Sequence, residues 1–175
     1  EGNLQEAKRV LSNCFLMLVV FSVLLIGGIL PFREPMLRLF GASDATYPYA
    51  SAYMTIYLLG SIFVMIGLGM NPFISMQGFG RTGMMTVGLG ALVNIVLDPV
   101  FIFVLDMGVA GAAFATVLSQ LASAVFVLRF LRGNRVLLRL EFECPQVKTV
   151  CKIALMGLSP FLIIAFDNVL IISLN

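Results

Sequence analysis

The chain has 175 residues, of which 60% are apolar and 11% are charged. A soluble domain carries about 25% charged residues to cover its surface, so this composition excludes a soluble enzyme and a disordered tail. The net charge of +2 excludes a nucleic-acid binder, and a chain with no His and only three Cys lacks most of the chemistry of metal sites and nucleophiles. A membrane protein with several spans is the class that remains.

Five long apolar stretches follow one another, separated by charged residues. A helix needs about 20 residues to cross the hydrocarbon core of a bilayer, and each stretch supplies them. The sequence therefore predicts an all-α polytopic membrane protein with five transmembrane helices. Because the chain starts without Met and ends inside an apolar stretch, we expect it to be a fragment of a longer protein. The stretches are 10–32, 45–81, 82–105, 107–128 and 153–175.

Lys and Arg residues are divided unequally between the two ends of the predicted spans. One end has only Arg33 and Arg38, and nine basic residues lie at the other. Because loops rich in Lys and Arg stay in the cytoplasm, we expect the more basic end to be cytoplasmic, with the chain crossing a plasma or inner membrane several times. The residues at that end are Lys8, Arg9, Arg81, Arg129, Arg132, Arg135, Arg139, Lys148 and Lys152.

The polar segment 129–152 divides the predicted helices into two groups. We interpret residues 1–128 as four helices of one bundle, 129–152 as a basic cytoplasmic connector, and 153–175 as the first helix of a second bundle. The three Cys match no zinc pattern, so we assign them no role. They are Cys14, Cys144 and Cys151.

Polar side chains lie inside the third and fourth predicted spans. Asn94 and Asp98 are four residues apart and therefore share one face of a helix. Asp98 and Thr116 each lie nine residues from Met107, near which the two spans turn. An antiparallel hairpin would bring both to the same depth, about 12 Å below the outer surface.

These residues predict a site for a small cation. Carboxylate, amide and hydroxyl oxygens suit H⁺ or Na⁺ rather than a soft metal, and Pro99 leaves the carbonyl of Ile95 without its helical partner and able to join them. A carboxylate within a span costs about 2.5–3.5 kcal/mol and is usually retained for transport or relay. The same cost marks Asp167, in the fifth span, as a second candidate. Alternatively, Asp98 only hydrogen-bonds a neighbouring helix.

Two glycine-containing patterns predict packing and a turn rather than binding. Small residues recur every four positions in the fourth span, a stripe that lets helices approach closely. The segment 78–83 superficially suggests a phosphate loop, but it joins two membrane helices and follows no strand, so we expect a tight turn. The stripe consists of Gly111, Ala115, Ser119 and Ser123.

Several segments together carry a family resemblance. Residues 34–42 read Glu-Pro-Met-Leu-Arg-Leu-Phe-Gly-Ala, and residues 77–82 read Gln-Gly-Phe-Gly-Arg-Thr. The strongest piece is 90–99, with Asn94 and Asp98-Pro99, followed by 108–120 with Thr116. In this order, and over essentially the whole chain, the segments resemble the multidrug and toxic compound extrusion (MATE) family.

The resemblance implies a transporter of twelve helices in two lobes, with this chain at helices three to seven and 129–152 as the loop between the lobes. It implies that Asn94, Asp98 and Thr116 bind H⁺ or Na⁺ together with an Asp from a helix outside this chain. It also implies that Asp167, ten residues after Gly157, is a substrate site or a second proton site. We expect no cofactor beyond the coupling ion, no metal other than Na⁺, and a monomer that acts on small organic substrates in a lipid bilayer.

The implied function is a secondary active antiporter that exports organic, often cationic, drugs or toxic compounds against entry of H⁺ or Na⁺. The alternative is a flippase of lipid-linked saccharides with the same architecture, which would need basic residues in its cavity. An intramembrane enzyme would need a nucleophile with a base, or a metal cluster, so we expect no enzyme. A scaffold that transports nothing would leave Asp98 and Asp167 unexplained.

Overall fold

The computed structural model describes residues 2–134, 136–141 and 145–174. Among these residues, five helical segments are long and apolar enough to cross a membrane, which confirms the predicted all-α class with five spans. The elements are α1 (Gly2–Ile29), a 3₁₀ turn (Leu30–Phe32), α2 (Arg33–Leu39), α3 (Tyr47–Met76), α4 (Gly80–Pro99), a π-helical turn (Val100–Val104), α5 (Gly108–Leu131) and α6 (Val147–Leu174).

Short turns join the spans, and glycine makes the sharpest of them possible. Gly78, between α3 and α4, has a φ of 89°, which a residue with a Cβ adopts only at a cost. The N–H groups of Gly78 and Phe79 bond back to the carbonyls of Ser75 and Ile74, at 3.1 and 3.3 Å, and close the turn. The tight turn predicted for residues 78–83 is confirmed at Gly78 and Phe79, whereas residues 80–83 already form the first turn of α4.

The polar segment 129–152 is a loop over only part of its length. α5 continues to Leu131, and α6 begins at Val147, before the fifth apolar stretch starts. Helices extend past their apolar stretches because long basic side chains can reach water from a helix end. Between the two helices, Val136 and Leu140 are buried. Arg135 and Cys144 lie outside the described residues.

The helices pack around α3, which contacts α1, α4 and α5, whereas α6 packs mainly against α1. Membrane helices have little hydrophobic drive to associate, so close approach depends on small side chains. The four residues of the small stripe are all buried in α5, which confirms the packing role predicted for them. A Cβ on Gly111 would lie 2.6 Å from the carbonyl oxygen of Phe101, so α5 rests directly on the backbone of the π-helical turn.

The topology leads to a labelling prediction. Ser43 and Asn134 are both exposed, and the spans α3, α4 and α5 separate them, so an odd number of crossings lies between the two positions. In a complete protein without its native Cys, we expect an impermeant maleimide to label Ser43→Cys in intact cells and Asn134→Cys only after permeabilisation. Labelling of both from the same side would contradict the five-span arrangement.

Candidate functional site

A row of residues at four-residue spacing runs along α4 and ends in the predicted acid. Side chains at this spacing lie above one another on a helix surface. The amide Nδ2 of Asn94 donates a hydrogen bond to Oδ1 of Asp98 over 3.2 Å, and both side chains are half-buried. The shared face predicted for Asn94 and Asp98 is therefore confirmed. The polar row consists of Thr86, Gly90, Asn94 and Asp98.

A cavity of about 220 Å³ lies among α3, α4 and α5 and brings Asn94 to the same space as Thr116. The hydroxyl of Thr116 donates to the carbonyl of Ala112 at 2.9 Å, which leaves its oxygen lone pairs able to accept or to bind a cation. Asp98 does not line the cavity and adjoins it through Asn94. The polar lining consists of Asn71, Thr86, Asn94, Thr116, Ser119, Gln120 and Ser123.

The helix geometry changes directly after the acid. Pro99 is the last residue of α4, and its ring is sterically incompatible with a regular helix in the preceding turn. A π-helical turn follows, in which the N–H of Leu105 reaches the carbonyl of Val100 at 2.9 Å. Such wide turns are often found at functional sites. That the carbonyl of Ile95 takes part in the site stays a prediction.

A polar network at the end of the cavity nearer the α3–α4 turn was not predicted from the sequence. Nδ2 of Asn71 donates to Oγ1 of Thr86 at 2.7 Å and to the carbonyl of Gly83 at 3.0 Å. Oγ of Ser123 donates to the carbonyl of Thr86 at 2.9 Å. These bonds join α3 and α5 to α4 below the Asn94–Asp98 pair. The sequence did place Thr86 two steps of four residues before Asn94, and this spacing could have indicated that Thr86 lies on the same face of α4.

Asp167 is not brought together with these residues. It is exposed on α6, and it forms no hydrogen bond or ion pair within the described part of the chain. The neighbouring Asn168 donates to the carbonyl of Ile164, one turn back in the same helix, at 2.8 Å. A separate apolar cavity of about 530 Å³ lies between α1 and the first half of α6 and includes Gly157.

Comparisons with known sequences agree with one another. The MatE family model matches residues 1–100. The multidrug export protein MepA of Staphylococcus aureus NCTC 8325 is 27% identical over 146 residues, which are 82% of this chain and 32% of the relative. The MepA of Staphylococcus saprophyticus is 30% identical over 131 residues, which are 74% of this chain and 29% of the relative. The chain thus spans about a third of the length of these curated relatives.

Solved structures have the same helix arrangement. An outward-facing multidrug resistance MATE family transporter of the MOP superfamily superposes with a TM-score of 0.75 at 28% identity, over 83% of this chain and 33% of that one. A MOP superfamily transporter from Pyrococcus furiosus gives a TM-score of 0.77 at 26% identity, over 83% and 33%. An inward-facing MATE family transporter superposes with a TM-score of 0.76 over 89% of this chain and 41% of that one. Its sequence identity is 22%, so this match shows likeness of fold alone.

Proposed function

Because the chain belongs to the MatE family of membrane transporters, whose model matches residues 1–100, we propose that the complete protein is an antiporter. It exports organic, often cationic, compounds in exchange for H⁺ or Na⁺. The five spans form part of a twelve-helix transporter fold. The observation that carries the proposal is the Asn94–Asp98 hydrogen bond beside a polar cavity that Thr116 also lines.

The proposed ion site follows from the chemistry of its oxygens. Asp98 supplies the charge that this chain contributes, and the amide oxygen of Asn94 and the hydroxyl oxygen of Thr116 are neutral ligands of the kind that a hard cation such as Na⁺ prefers. H⁺ would bind the carboxylate itself. Either ion neutralises Asp98, and a neutral side chain is cheaper to hold at membrane depth than a carboxylate.

Neutralisation can be coupled to a change of conformation. Two packings of the bundle that expose Asp98 to different degrees respond differently to its charge, so the ion shifts the population between them. The π-helical turn after Pro99 and the direct contact of Gly111 with Phe101 link α4 to α5 at this point. A change at Asp98 therefore acts on two helices at once.

The dimensions of the cavities support separate places for ion and substrate. Sites for drug-sized ligands usually measure about 300–1,000 Å³. The polar cavity, at about 220 Å³, is below this range and suits a partly hydrated cation. The apolar cavity of about 530 Å³ between α1 and α6 lies within it, and Asp167 further along α6 would supply a charge for cationic substrates.

The alternative of a lipid-linked saccharide flippase receives less support. Its phosphates would call for basic side chains, yet no Lys or Arg is among the described residues that line the polar or the apolar cavity. Members of this family are transporters rather than enzymes. We propose that the complete protein functions as a monomer in the plasma or inner membrane, with residues 129–152 on the cytoplasmic side.

The proposed function can be tested with the complete transporter in proteoliposomes. An imposed H⁺ or Na⁺ gradient is expected to drive uptake or release of a cationic dye, and collapse of that gradient by an ionophore is expected to stop it. The two gradients applied separately identify the coupling ion. Dye movement that neither gradient changes would contradict an antiporter.

Asp167→Asn gives a prediction about substrate choice. If Asp167 contacts substrate, we expect a cationic dye to be exported roughly fivefold less well, on the scale of an exposed ion pair of about 1 kcal/mol, and a neutral dye to be exported normally. Asn168→Ala is the matched control, because the hydrogen bond that Asn168 makes among the described residues is to Ile164 of its own helix. Equal losses for both dyes with a changed pH profile would indicate a second proton carrier instead. Undiminished efflux of both would contradict either role.

A further inference from the structure

The turn between α3 and α4 holds part of the connector between α5 and α6 through one side chain. Oε1 of Gln77 accepts a hydrogen bond from the N–H of Leu138 at 2.8 Å, and its Nε2 reaches the carbonyl of Leu138 at 3.5 Å. The same Nε2 donates to the carbonyl of Phe73 at 2.8 Å, which fixes the side chain on its own helix. Gln77 thus pairs with both backbone groups of a residue 61 positions away.

Further contacts bind the turn and the connector to α5. Phe79, in the same turn, packs edge-on against Phe130 near the end of α5, with ring centroids 5.2 Å apart. The N–H of Leu140 bonds to the carbonyl of Leu131 at 3.0 Å, and Leu140 is buried in the main apolar core. The connector therefore folds back onto the helix that it leaves, with Val136 and Leu140 buried and Leu137 exposed.

α1 holds the other end of the same segment. The hydroxyl of Ser12 donates to the carbonyl of Glu141, and Nζ of Lys8 lies 3.3 Å from Oε1 of Glu141. Further along, Oδ1 of Asn13 accepts from the N–H of Gln146 at 3.2 Å, just before α6 begins. Ser12 and Asn13 are buried, so their bonds to the connector are partly buried contacts, whereas the Lys8–Glu141 pair is exposed.

We propose that residues 136–141 form a strap that stays attached to α1, α3 and α5 throughout transport, with Gln77 as its clasp. The Gln77–Phe79 turn belongs to a segment that carries the family resemblance, but the proposed ion site does not use it. In this proposal, the turn is the part of the bundle to which the strap is bonded. A strap that remains attached makes the inner ends of these helices one rigid unit. Movement of α6 relative to them must then take place beyond Glu141. The attachment stands on the contacts alone, and only its persistence during transport rests on the proposed function.

Amide hydrogen exchange on the complete protein tests the attachment. Gln77→Leu roughly keeps the size of the side chain and removes both bonds to Leu138. Because the 3.5 Å bond is too long to contribute much, we expect peptides covering 136–141 to exchange roughly two- to tenfold faster, the factor for the net loss of one hydrogen bond. Gln77→Glu keeps the acceptor for the N–H of Leu138 and is expected to be intermediate. The Gln77→Glu variant also tests the attachment if the Leu variant does not fold. Gln5→Leu, at an exposed position of α1, is the control. Wild-type exchange in both Gln77 variants would overturn the clasp.

A cross-link tests the persistence of the attachment. In a protein without native Cys, Gln77→Cys and Leu138→Cys are joined by a short bismaleimide, which replaces the hydrogen bonds with a covalent bridge. We expect the bridged transporter to move dye at the rate of the same protein before bridging. The Gln77→Cys single variant treated with the reagent is the control. Loss of transport on bridging alone would overturn the proposal that the strap stays attached. The exchange measurement needs no transport activity, so failure of the proposed function would be recognised separately.

Discussion

Replacing Asp98 with Asn is expected to reduce ion-driven efflux by the complete transporter to background while the protein still folds in the membrane. The substitution keeps the shape of the side chain, and its amide oxygen can still accept the 3.2 Å hydrogen bond from Asn94. Only the charge that binds H⁺ or Na⁺ is removed. The measurement is gradient-driven dye transport in proteoliposomes, with the amount of folded protein determined by size-exclusion chromatography.

Graded and matched variants make this result specific. Asn94→Ala and Thr116→Ala each remove one neutral oxygen donor, so we expect weaker coupling rather than its loss. Asp106→Asn makes the same chemical change at an exposed position between the π-helical turn and α5. Its φ of 53° is tolerated by Asn, so wild-type transport is expected. If Asp98→Asn transported at the wild-type rate with the same dependence on the gradient, Asp98 would only be structural.

Gly111→Ala is expected to destabilise the protein, although alanine ordinarily stabilises a helix relative to glycine. The new Cβ would meet the carbonyl oxygen and carbon of Phe101 at 2.6 and 2.8 Å, and backbone atoms cannot move aside as a side chain can. Overpacking of this kind costs about 1–3 kcal/mol. We expect a lower midpoint in thermal unfolding in detergent, together with weaker ion coupling, because α5 would be displaced from the end of α4.

Gly88→Ala is the control for that prediction. Gly88 lies in α4, and a Cβ built on it has no neighbour within 4 Å in the described part of the chain. The substitution there gains helix propensity, roughly 1 kcal/mol, without a clash, so we expect an unchanged or higher midpoint. Opposite signs at the two glycines would confirm that contact with the π-helical turn, rather than the loss of glycine, causes the effect. Equal shifts would contradict this explanation.

The spans and the Asn94–Asp98 pair were predictable because each depends on residues close in sequence. Apolar length determines whether a helix can cross a bilayer, and four-residue spacing determines which side chains share its surface. Counting residues on either side of Met107 predicted that Asp98 and Thr116 lie at the same depth, but the residue that shares the cavity with Thr116 is Asn94, one helical turn before Asp98. Helix ends were less predictable, because a helix continues past the last apolar residue, as it does from Arg129 to Leu131.

Contacts between distant segments could not be read from local patterns. The bonds of Asn71 to Thr86 and of Gln77 to Leu138 depend on how three helices and a connector pack together. The segment 129–152 was interpreted as polar because its charges dominate its composition, yet its apolar residues Val136 and Leu140 are buried. The position of Asp167 relative to any substrate depends on helices outside this chain, so its role stays a prediction.

The five residues Val100–Val104 change the angular position of the side chains around the axis of the third span. Each residue of an α-helix turns the next side chain by about 100°, and a π-helical turn inserts one residue more than the regular helix would hold. Side chains beyond the turn are therefore rotated relative to the polar row, which itself ends at Asp98, because the next position, Ile102, lies within the turn and is apolar. A segment that supplies none of the proposed ligands thus sets the angle between the Asn94–Asp98 pair and the rest of the third span.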